Sequence, residues 1–188
     1  MAHVVVPMAT GFEEIEAVAM IDVMRRGGIE VIMGSLGANL LVKGAHGVVV
    51  QADRQISGLS ADELDMIVLP GGWGGTQALA RDAGVQSLLR EMDAKGKQIG
   101  AICAAPVALE AAGVLKEGYT CYPGIEEQLK TPGFSGAASA VVESGNVMTS
   151  RGPGTAICFG LSIVKKLVGS SAAEKVRGGL LADYCAHL

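Results

Sequence analysis

The chain has 188 residues, a formal net charge of −4, and is 49% hydrophobic and 18% charged. Such a balance belongs to a globular chain able to bury roughly 70% of its unfolded surface, and excludes a disordered one. The net acidity gives no electrostatic footprint for nucleic acid, no apolar run approaches the ~20 residues of a membrane span, and the first residues lack the basic and long apolar regions of a signal peptide. One domain over 1–188, in the cytoplasm, is expected.

Residues 3–7 are a β-branched run that reads as a buried first strand. A turn at 10–12 leads into a helix opened by Glu13, Glu14 and Glu16, which runs to about Arg26 and stops at Gly27-Gly28 with cations in its last turn. Its middle is apolar almost all round, so one face should pack on the sheet and the other meet a second copy of the chain. Residues 29–33 form a second strand and complete a βαβ unit. Residues 40–43 and 48–50, separated by Gly44-Ala45-His46-Gly47, read as a hairpin. A strand at 65–69 ends in a glycine-rich turn, Pro70-Gly71-Gly72-Trp73-Gly74-Gly75. Residues 85–95 carry Leu88, Leu89 and Met92 at helical spacing.

The run Gln98-Ile99-Gly100-Ala101-Ile102 stops at Cys103, followed by Ala104-Ala105-Pro106 and a helix to Ala112 that ends at Gly113. Small residues on both sides of one reactive side chain permit a sharp strand-to-helix bend, a nucleophile elbow, and proline suits the first helical turn. A thiol there sits at the positive end of a helix, which favours the thiolate and would lower its pKa from about 8.5 towards ~3.5–7.5. Beyond the elbow, residues 119–122 read as a short strand and 131–138 as a flexible loop. Two strands at 141–142 and 147–149 flank Gly145-Asn146, a turn at 151–155 opens a helix through Val168, and a last helix spans 171–181. Alternating strands and helices predict a mostly parallel sheet covered on both faces, with ligands beyond the carboxyl ends of its strands.

The four cysteines are Cys103, Cys121, Cys158 and Cys185. Their spacing matches no zinc pattern, and a disulfide is not expected in a reducing compartment. Cys121 and Cys158 read as small buried hydrophobes, and Cys185 as exposed. Cys103 is the candidate nucleophile. Glu16 and Glu14 each share a helix face with apolar residues, Ala19, Met20 and Val23 for one and Ala17, Val18 and Ile21 for the other. Periodicity does not choose between them. A carboxyl on an apolar face is desolvated, its pKa rises, and it becomes a proton donor or a base near neutral pH. Backbone amides at Gly71-Gly72 and after Cys103 are candidate oxyanion donors. Neither GxGxxG nor GxxxxGK occurs, so no nucleotide cofactor is expected. His3, His46 and His187 read as ordinary histidines, with His46 near enough in the hairpin to approach the site. No histidine falls in the region after the elbow where a triad partner would be sought, which disfavours a Cys–His hydrolase. Arg26 and Arg151 are candidate anion binders.

These motifs taken together resemble the ThiJ/PfpI superfamily, in the branch named for the parkinsonism-associated protein deglycase. The resemblance is carried by Gly11-Phe12-Glu13-Glu14-Ile15-Glu16, Asp22-Val23-Met24-Arg25-Arg26-Gly27-Gly28-Ile29, Val68-Leu69-Pro70-Gly71-Gly72, Ala101-Ile102-Cys103-Ala104-Ala105-Pro106 and Thr149-Ser150-Arg151-Gly152-Pro153-Gly154-Thr155. It implies a flavodoxin-like three-layer sandwich that dimerises through the first helix. It also implies a reactive Cys103 partnered by Glu16 rather than Glu14, with oxyanion donors at Gly72 and Ala104 and Arg26 reaching the site region at the dimer interface. No metal and no cofactor are implied. The implied activities are a glutathione-independent glyoxalase or protein deglycase acting on small reactive carbonyls or glycated side chains, or a redox-responsive chaperone of oxidative stress in which Cys103 becomes a sulfinate. Tyr122 stands where some relatives carry a histidine, and His46 where some carry an anion-binding arginine. Ala104 directly after the nucleophile disfavours peptidase chemistry.

Overall fold

The computed structural model of the chain describes residues 1–186. His187, one of the three histidines of the sequence, lies outside the described residues. Seven strands form one sheet in the order β5-β2-β1-β6-β7-β9-β8, and a separate two-stranded hairpin pairs β3 with β4. The strands are β1 (His3–Met8), β2 (Glu30–Ser35), β3 (Leu41–Lys43), β4 (Val49–Gln51), β5 (Arg54–Gln55), β6 (Met66–Leu69), β7 (Gln98–Ile102), β8 (Val141–Ser144) and β9 (Val147–Ser150). Every pairing in the large sheet is parallel except β8 with β9, which are joined by a tight turn. The helices are α1 (Glu14–Arg26), α2 (Trp73–Arg81), α3 (Ala83–Ala94), α4 (Pro106–Ala112), α5 (Ala156–Leu167) and α6 (Ser170–Gly179).

Period-two alternation in the central strands divides the core. Val4, Val6, Met8, Met66 and Val68 face one way and pack with α1, α5 and α6. Val5, Ile67, Leu69, Ile99 and Ala101 face the other way and pack with α2, α3 and α4. The result is the expected three-layer, flavodoxin-like α/β sandwich. Among the described residues no helix is long and apolar enough to cross a membrane.

On one face, α1 and α5 approach unusually closely. A Cβ on Gly160 would stand 2.8 Å from Val23 of α1, and one on Gly27 would stand 2.6 Å from Val164 of α5. Each helix thus presents a glycine notch to a valine of the other.

Three expectations are corrected, and one strand was not foreseen. The glycine-rich turn after β6 is only Pro70–Gly72 long, because Trp73, Gly74 and Gly75 already form the first turn of α2. Glycine is a poor helix former, but a Cβ on Gly75 would lie 2.9 Å from the Phe12 backbone, so close packing there outweighs propensity. Residues 119–122 are not a strand, since only Tyr119 makes a bridge, to Phe134. The two-residue strand β5 beside β2 is too short to leave a pattern in the sequence. Finally, Cys158 and Cys185 are joined in a disulfide, with Cα atoms 5.3 Å apart, and Cys185 is buried. After α6 the chain folds back as a short 3₁₀ turn, Asp183–Cys185, onto α5. This return is invisible in cysteine spacing. Closing a loop of 27 residues contributes roughly 3 kcal/mol by chain entropy.

Candidate active site

The residues singled out around Cys103 meet at the carboxyl ends of the parallel strands, where ligands of such sheets bind. Cys103 follows β7 directly and has φ +64°, one of two non-glycine residues at positive φ among those described. A left-handed backbone at a β-unbranched side chain costs roughly 1–3 kcal/mol. Its surroundings hold it there: the Cys103 N–H donates to the Ser150 carbonyl at 3.0 Å, and its carbonyl accepts from the Tyr122 N–H at 3.0 Å. Pro106 occupies the first turn of α4, as its fixed φ favours.

Glu16 is fully buried in the first turn of α1, and its Oε2 accepts the Gly71 N–H at 2.8 Å. Its Oε1 is buried without a hydrogen-bond partner, and the Cys103 side chain lies beside the carboxyl across Gly71. Gly71 is the hub of this contact. A Cβ there would stand 2.6 Å from Glu16 Oε2 and 2.7 Å from the Cys103 Cβ. Carboxyl and thiol therefore meet across the space that a side chain would fill. Sequence reasoning offers the Gly71 amide for an oxyanion, but the structure commits it to Glu16.

Glu13, not singled out from the sequence, caps α1: its carboxylate accepts the Glu16 N–H at 2.7 Å, and its own N–H donates to the Gly71 carbonyl at 2.9 Å. The available signal was its position three residues ahead of Glu16, the spacing of an N-terminal cap.

Both partners of the thiol–carboxyl pair titrate far from their ordinary values. Burial pushes Glu16 up from 4.5 to about 7, against the hydrogen bonds from Cys103 and Gly71, and the Glu13 charge adds to the rise. Burial and the Glu16 carboxylate push the Cys103 thiol up to about 12, against the opposing effect of the nearby Gly72 and Ala104 amides. The expected lowering of the thiol is thus reversed as long as Glu16 is ionised. The two groups behave as one unit that loses its first proton near 7 and its second near 12. Between those limits the pair carries a single negative charge, and a proton passing from sulfur to carboxylate makes the thiolate without changing that charge.

Glu14, the alternative to Glu16, faces elsewhere. Its Oε1 accepts the His46 N–H at 2.6 Å and its Oε2 lies 2.9 Å from His46 Nδ1. Burial works against ionisation of Glu14, but the His46 hydrogen bonds outweigh it and hold the carboxyl below its ordinary range. The same contact raises His46. His46 therefore clasps the hairpin turn to the start of α1 and does not join the Cys103–Glu16 pair.

Tyr122 and Arg151 line a shallow cavity of about 280 Å³ with Pro123 and residues 152–155. A Cβ on Gly152 would stand 3.2 Å from the Tyr122 ring and 3.9 Å from Glu16 Oε1, so the cavity adjoins the carboxyl. Arg151 Nε is buried without a partner. Arg26 lies ten residues along α1 from Glu16, about 15 Å at helical rise, paired with Asp22 at 2.6 Å. Within one chain it is no part of the site. His3 sits at the other end of β1, 3.6 Å from Glu30. Cys121 is free and fully buried, as expected.

The burial of Glu16 makes stability depend on pH. A carboxyl whose pKa is raised by folding favours the folded state most below 4.5, and loses that advantage as pH rises through about 7. The loss is on the order of 3 kcal/mol. Glu16→Gln, whose amide oxygen can still accept the Gly71 N–H, is expected to gain stability over the wild type at pH 8 but not at pH 4.5. Urea midpoints measured across that range check it, and a pH-independent difference would refute the assignment.

A mostly parallel α/β sandwich with a cysteine at positive φ in the bend after a central strand, and a buried carboxyl beside it, defines a class of proteins with an elbow cysteine. The chain belongs to the DJ-1/PfpI family, whose model matches residues 2–166. It is 39% identical over 178 residues to Protein dj-1beta of Drosophila melanogaster, covering 94% of this chain and 95% of that one. The crystal structure of that DJ-1beta superposes with a TM-score of 0.92 at 38% identity, covering 96% and 97% of the two chains. Toxoplasma gondii DJ-1, solved in an oxidized form, superposes with a TM-score of 0.90 at 36% identity, covering 96% and 98%. A Caenorhabditis elegans relative named glutathione-independent glyoxalase DJR-1.2 is 36% identical over 157 residues, covering 84% of this chain and 83% of the other.

Proposed function

We propose that this chain is a cysteine-dependent, glutathione-independent glyoxalase and protein deglycase, acting on methylglyoxal-type α-oxoaldehydes or their early adducts on protein side chains. The observation that carries this reading is the buried Glu16 carboxyl facing Cys103 across the bare Gly71, in a pair that holds one negative charge and one mobile proton above pH 7. Such a pair suits a reaction that needs a soft nucleophile and then a proton moved over a short distance.

The Cys103 sulfur adds to the aldehyde carbon to give a hemithioacetal, whose oxyanion takes hydrogen bonds from the Gly72 and Ala104 amides. Glu16 gives its proton to that oxyanion and, now ionised, removes the proton from that carbon and returns it to the neighbouring one, while the hydroxyl proton passes to the former ketone oxygen. The former aldehyde carbon is thereby oxidised to a thioester while the ketone is reduced to an alcohol. Water cleaves the thioester and frees the thiol, so methylglyoxal plus water gives lactate. The redox change is internal to the substrate and the steps call on no cofactor. The cavity beside Glu16 offers Arg151 and the Tyr122 hydroxyl to the substrate's oxygens. The relative named as a glutathione-independent glyoxalase supports this reading. The test is lactate formed from methylglyoxal in the absence of glutathione; a wild-type rate no higher than buffer would reject it.

A second reading is favoured by the same two amides, which also fit the oxygens of a cysteine sulfinate, with protonated Glu16 as donor. The oxidized structure of a relative accords with it. Here Cys103 senses peroxide as part of an oxidative-stress or chaperone role. Of the two free cysteines, Cys103 is expected to reach sulfinate first under mild peroxide, read by mass spectrometry of digested protein. Oxidation of Cys121 ahead of it would sink this role.

We also propose a homodimer through α1, since Ile15 and Val18 are 60% and 50% exposed on a helix whose other apolar residues are buried or half-buried by its own fold. Ile15→Asp with Val18→Asp is expected to halve the mass measured by light scattering. A monomeric wild type would disprove the dimer.

A further inference from the structure

An arginine in a folded protein normally faces water or pairs with a carboxylate. All but one of the arginines here do so. Arg25, Arg26, Arg54, Arg81 and Arg90 are exposed. Arg177 is half-buried and held between Glu174 at 2.7 Å and Asp183 at 3.0 Å. Arg151 is also half-buried, yet it makes no ion pair among the described residues, and its Nε is buried with no acceptor. Glu126, which has Cys121 as a neighbour in common with Arg151, gives its Oε2 to the Gly124 N–H at 2.7 Å. Withdrawing a cation from water without a counter-charge opposes folding, so the complement of Arg151 is an anion brought from outside the chain.

The position of Arg151 says which part of a ligand carries that anion. It is the one charged residue in the wall of the 280 Å³ cavity beside the reactive pair. Ser150, just before it, accepts the Cys103 N–H, and Tyr122, across the cavity, donates its N–H to the Cys103 carbonyl. Gly152, just after it, leaves open the space between the Tyr122 ring and Glu16 Oε1. The Arg151 charge opposes the rise of the Cys121 thiol, which burial and Glu126 push up to about 12. It does not figure among the main influences on Glu16 or Cys103. The guanidinium therefore stands on the Cys121–Tyr122 side, set back from the sulfur. It is placed for the far end of a substrate, not for the carbons that react.

Resting on the glyoxalase reading above, we infer that Arg151 selects α-oxoaldehydes carrying a terminal carboxylate a few carbons beyond the ketone. One guanidinium matches one carboxylate in charge and in two-pronged geometry, whereas a phosphate dianion would leave a charge uncompensated. The volume lies just under the ~300–1,000 Å³ of a drug-sized pocket, which suits a short tail. The reacting end follows the same course as methylglyoxal. Water is taken up, the aldehyde carbon is oxidised to a carboxylate, the ketone carbon is reduced to an alcohol, and the tail is unaltered. The product is a 2-hydroxy diacid.

The test compares 4,5-dioxopentanoate, an α-oxoaldehyde with a terminal carboxylate, with its uncharged methyl ester. In the wild type kcat/KM is expected to favour the acid by about tenfold or more, the scale of a hydrogen-bonded charge. Arg151→Met is expected to bring that ratio near one, and Arg151→Lys, which keeps the charge, to retain a preference for the acid. Each ratio is taken within one protein, so a general loss of activity cancels. A wild-type ratio near one, as would follow if a carboxylate of a second copy already neutralised Arg151, overturns the inference. So does a ratio that survives Arg151→Met. Failure of the glyoxalase reading shows separately, as no lactate from methylglyoxal, and binding then decides. By calorimetry, 4-oxopentanoate, which lacks the aldehyde, is expected to bind the wild type about tenfold or more tighter than its methyl ester, and to lose that margin in Arg151→Met. Equal affinities, or no binding of either, overturn the inference.

Discussion

Cys103→Ala is expected to abolish lactate formation from methylglyoxal, lowering kcat/KM by a factor on the order of 10⁴ or more, as loss of a covalent nucleophile does. The residual is expected to match the uncatalysed rate, because the remaining groups act only on a bond that the sulfur has made. Glu16→Gln should fall nearly as far without a further loss in the double variant, since the two groups act as one unit. The pH profile separates this scheme from a free thiolate. The pair loses its first proton near 7 and its second near 12, so kcat/KM should rise through about pH 7 and then stay level. A rise centred instead near 8.5, the value of an ordinary cysteine, would mean that the thiol titrates without the carboxyl. Retention of wild-type turnover by Cys103→Ala would discard the covalent mechanism.

Adding one methyl group in the Pro70–Gly72 turn is expected to have two different outcomes one residue apart. Gly72 has φ +85°, and a Cβ there would stand 2.4 Å from the Gly11 carbonyl oxygen and 2.6 Å from the Glu13 nitrogen. Both obstacles are backbone and neither can swing away. Gly72→Ala is expected to destabilise the protein by more than ~3 kcal/mol, combining a left-handed backbone with overpacking. It should be seen as a large drop in the urea midpoint or as insoluble protein. A Cβ on Gly71 meets Glu16 Oε2 and the Cys103 Cβ instead. The Glu16 carboxyl can swing aside, whereas the Cys103 Cβ and the Ile102 carbonyl oxygen at 3.0 Å are held by the backbone, so Gly71→Ala is expected to cost some stability as well as to force carboxyl and thiol apart, and to lose at least ~10²-fold in kcat/KM, the scale of a roughly 1 Å misplacement. If Gly71→Ala kept full activity, contact between Glu16 and Cys103 would be irrelevant to the chemistry.

Much of this arrangement was legible in the sequence for local reasons. The strands β1, β6 and β7 are apolar runs that a twice-covered sheet requires, and the elbow shows as one reactive residue among small ones. The choice between Glu14 and Glu16 was not legible from periodicity, because both are buried. What separates them is what they face, His46 for one and Gly71 with Cys103 for the other, and those partners come from segments dozens of residues away. The resemblance to the family chose Glu16. The start of α2 was hidden because glycines read as a turn while serving close contact with the segment at Gly11 and Phe12. The disulfide was hidden because it depends on where the last turn lands. The direction of the Cys103 shift is not legible locally, because the helix end favours the thiolate while burial and the Glu16 charge, brought from a distant segment, oppose it.

The glycine notches between α1 and α5 reach further than their own contacts. Successive residues of a helix are separated by 100° of rotation, so the azimuth of α1 fixes where Glu16 points. Val23 seated over Gly160, and Val164 over Gly27, work like a key in a keyway that permits a single angular setting. That setting is imposed at the last turn of the helix and its C-cap, yet it is read out at the first turn, where Glu16 lies beside Cys103. The alignment of Glu16 with Cys103 is thus held by a remote mechanical index, set by residues that lie away from the pair.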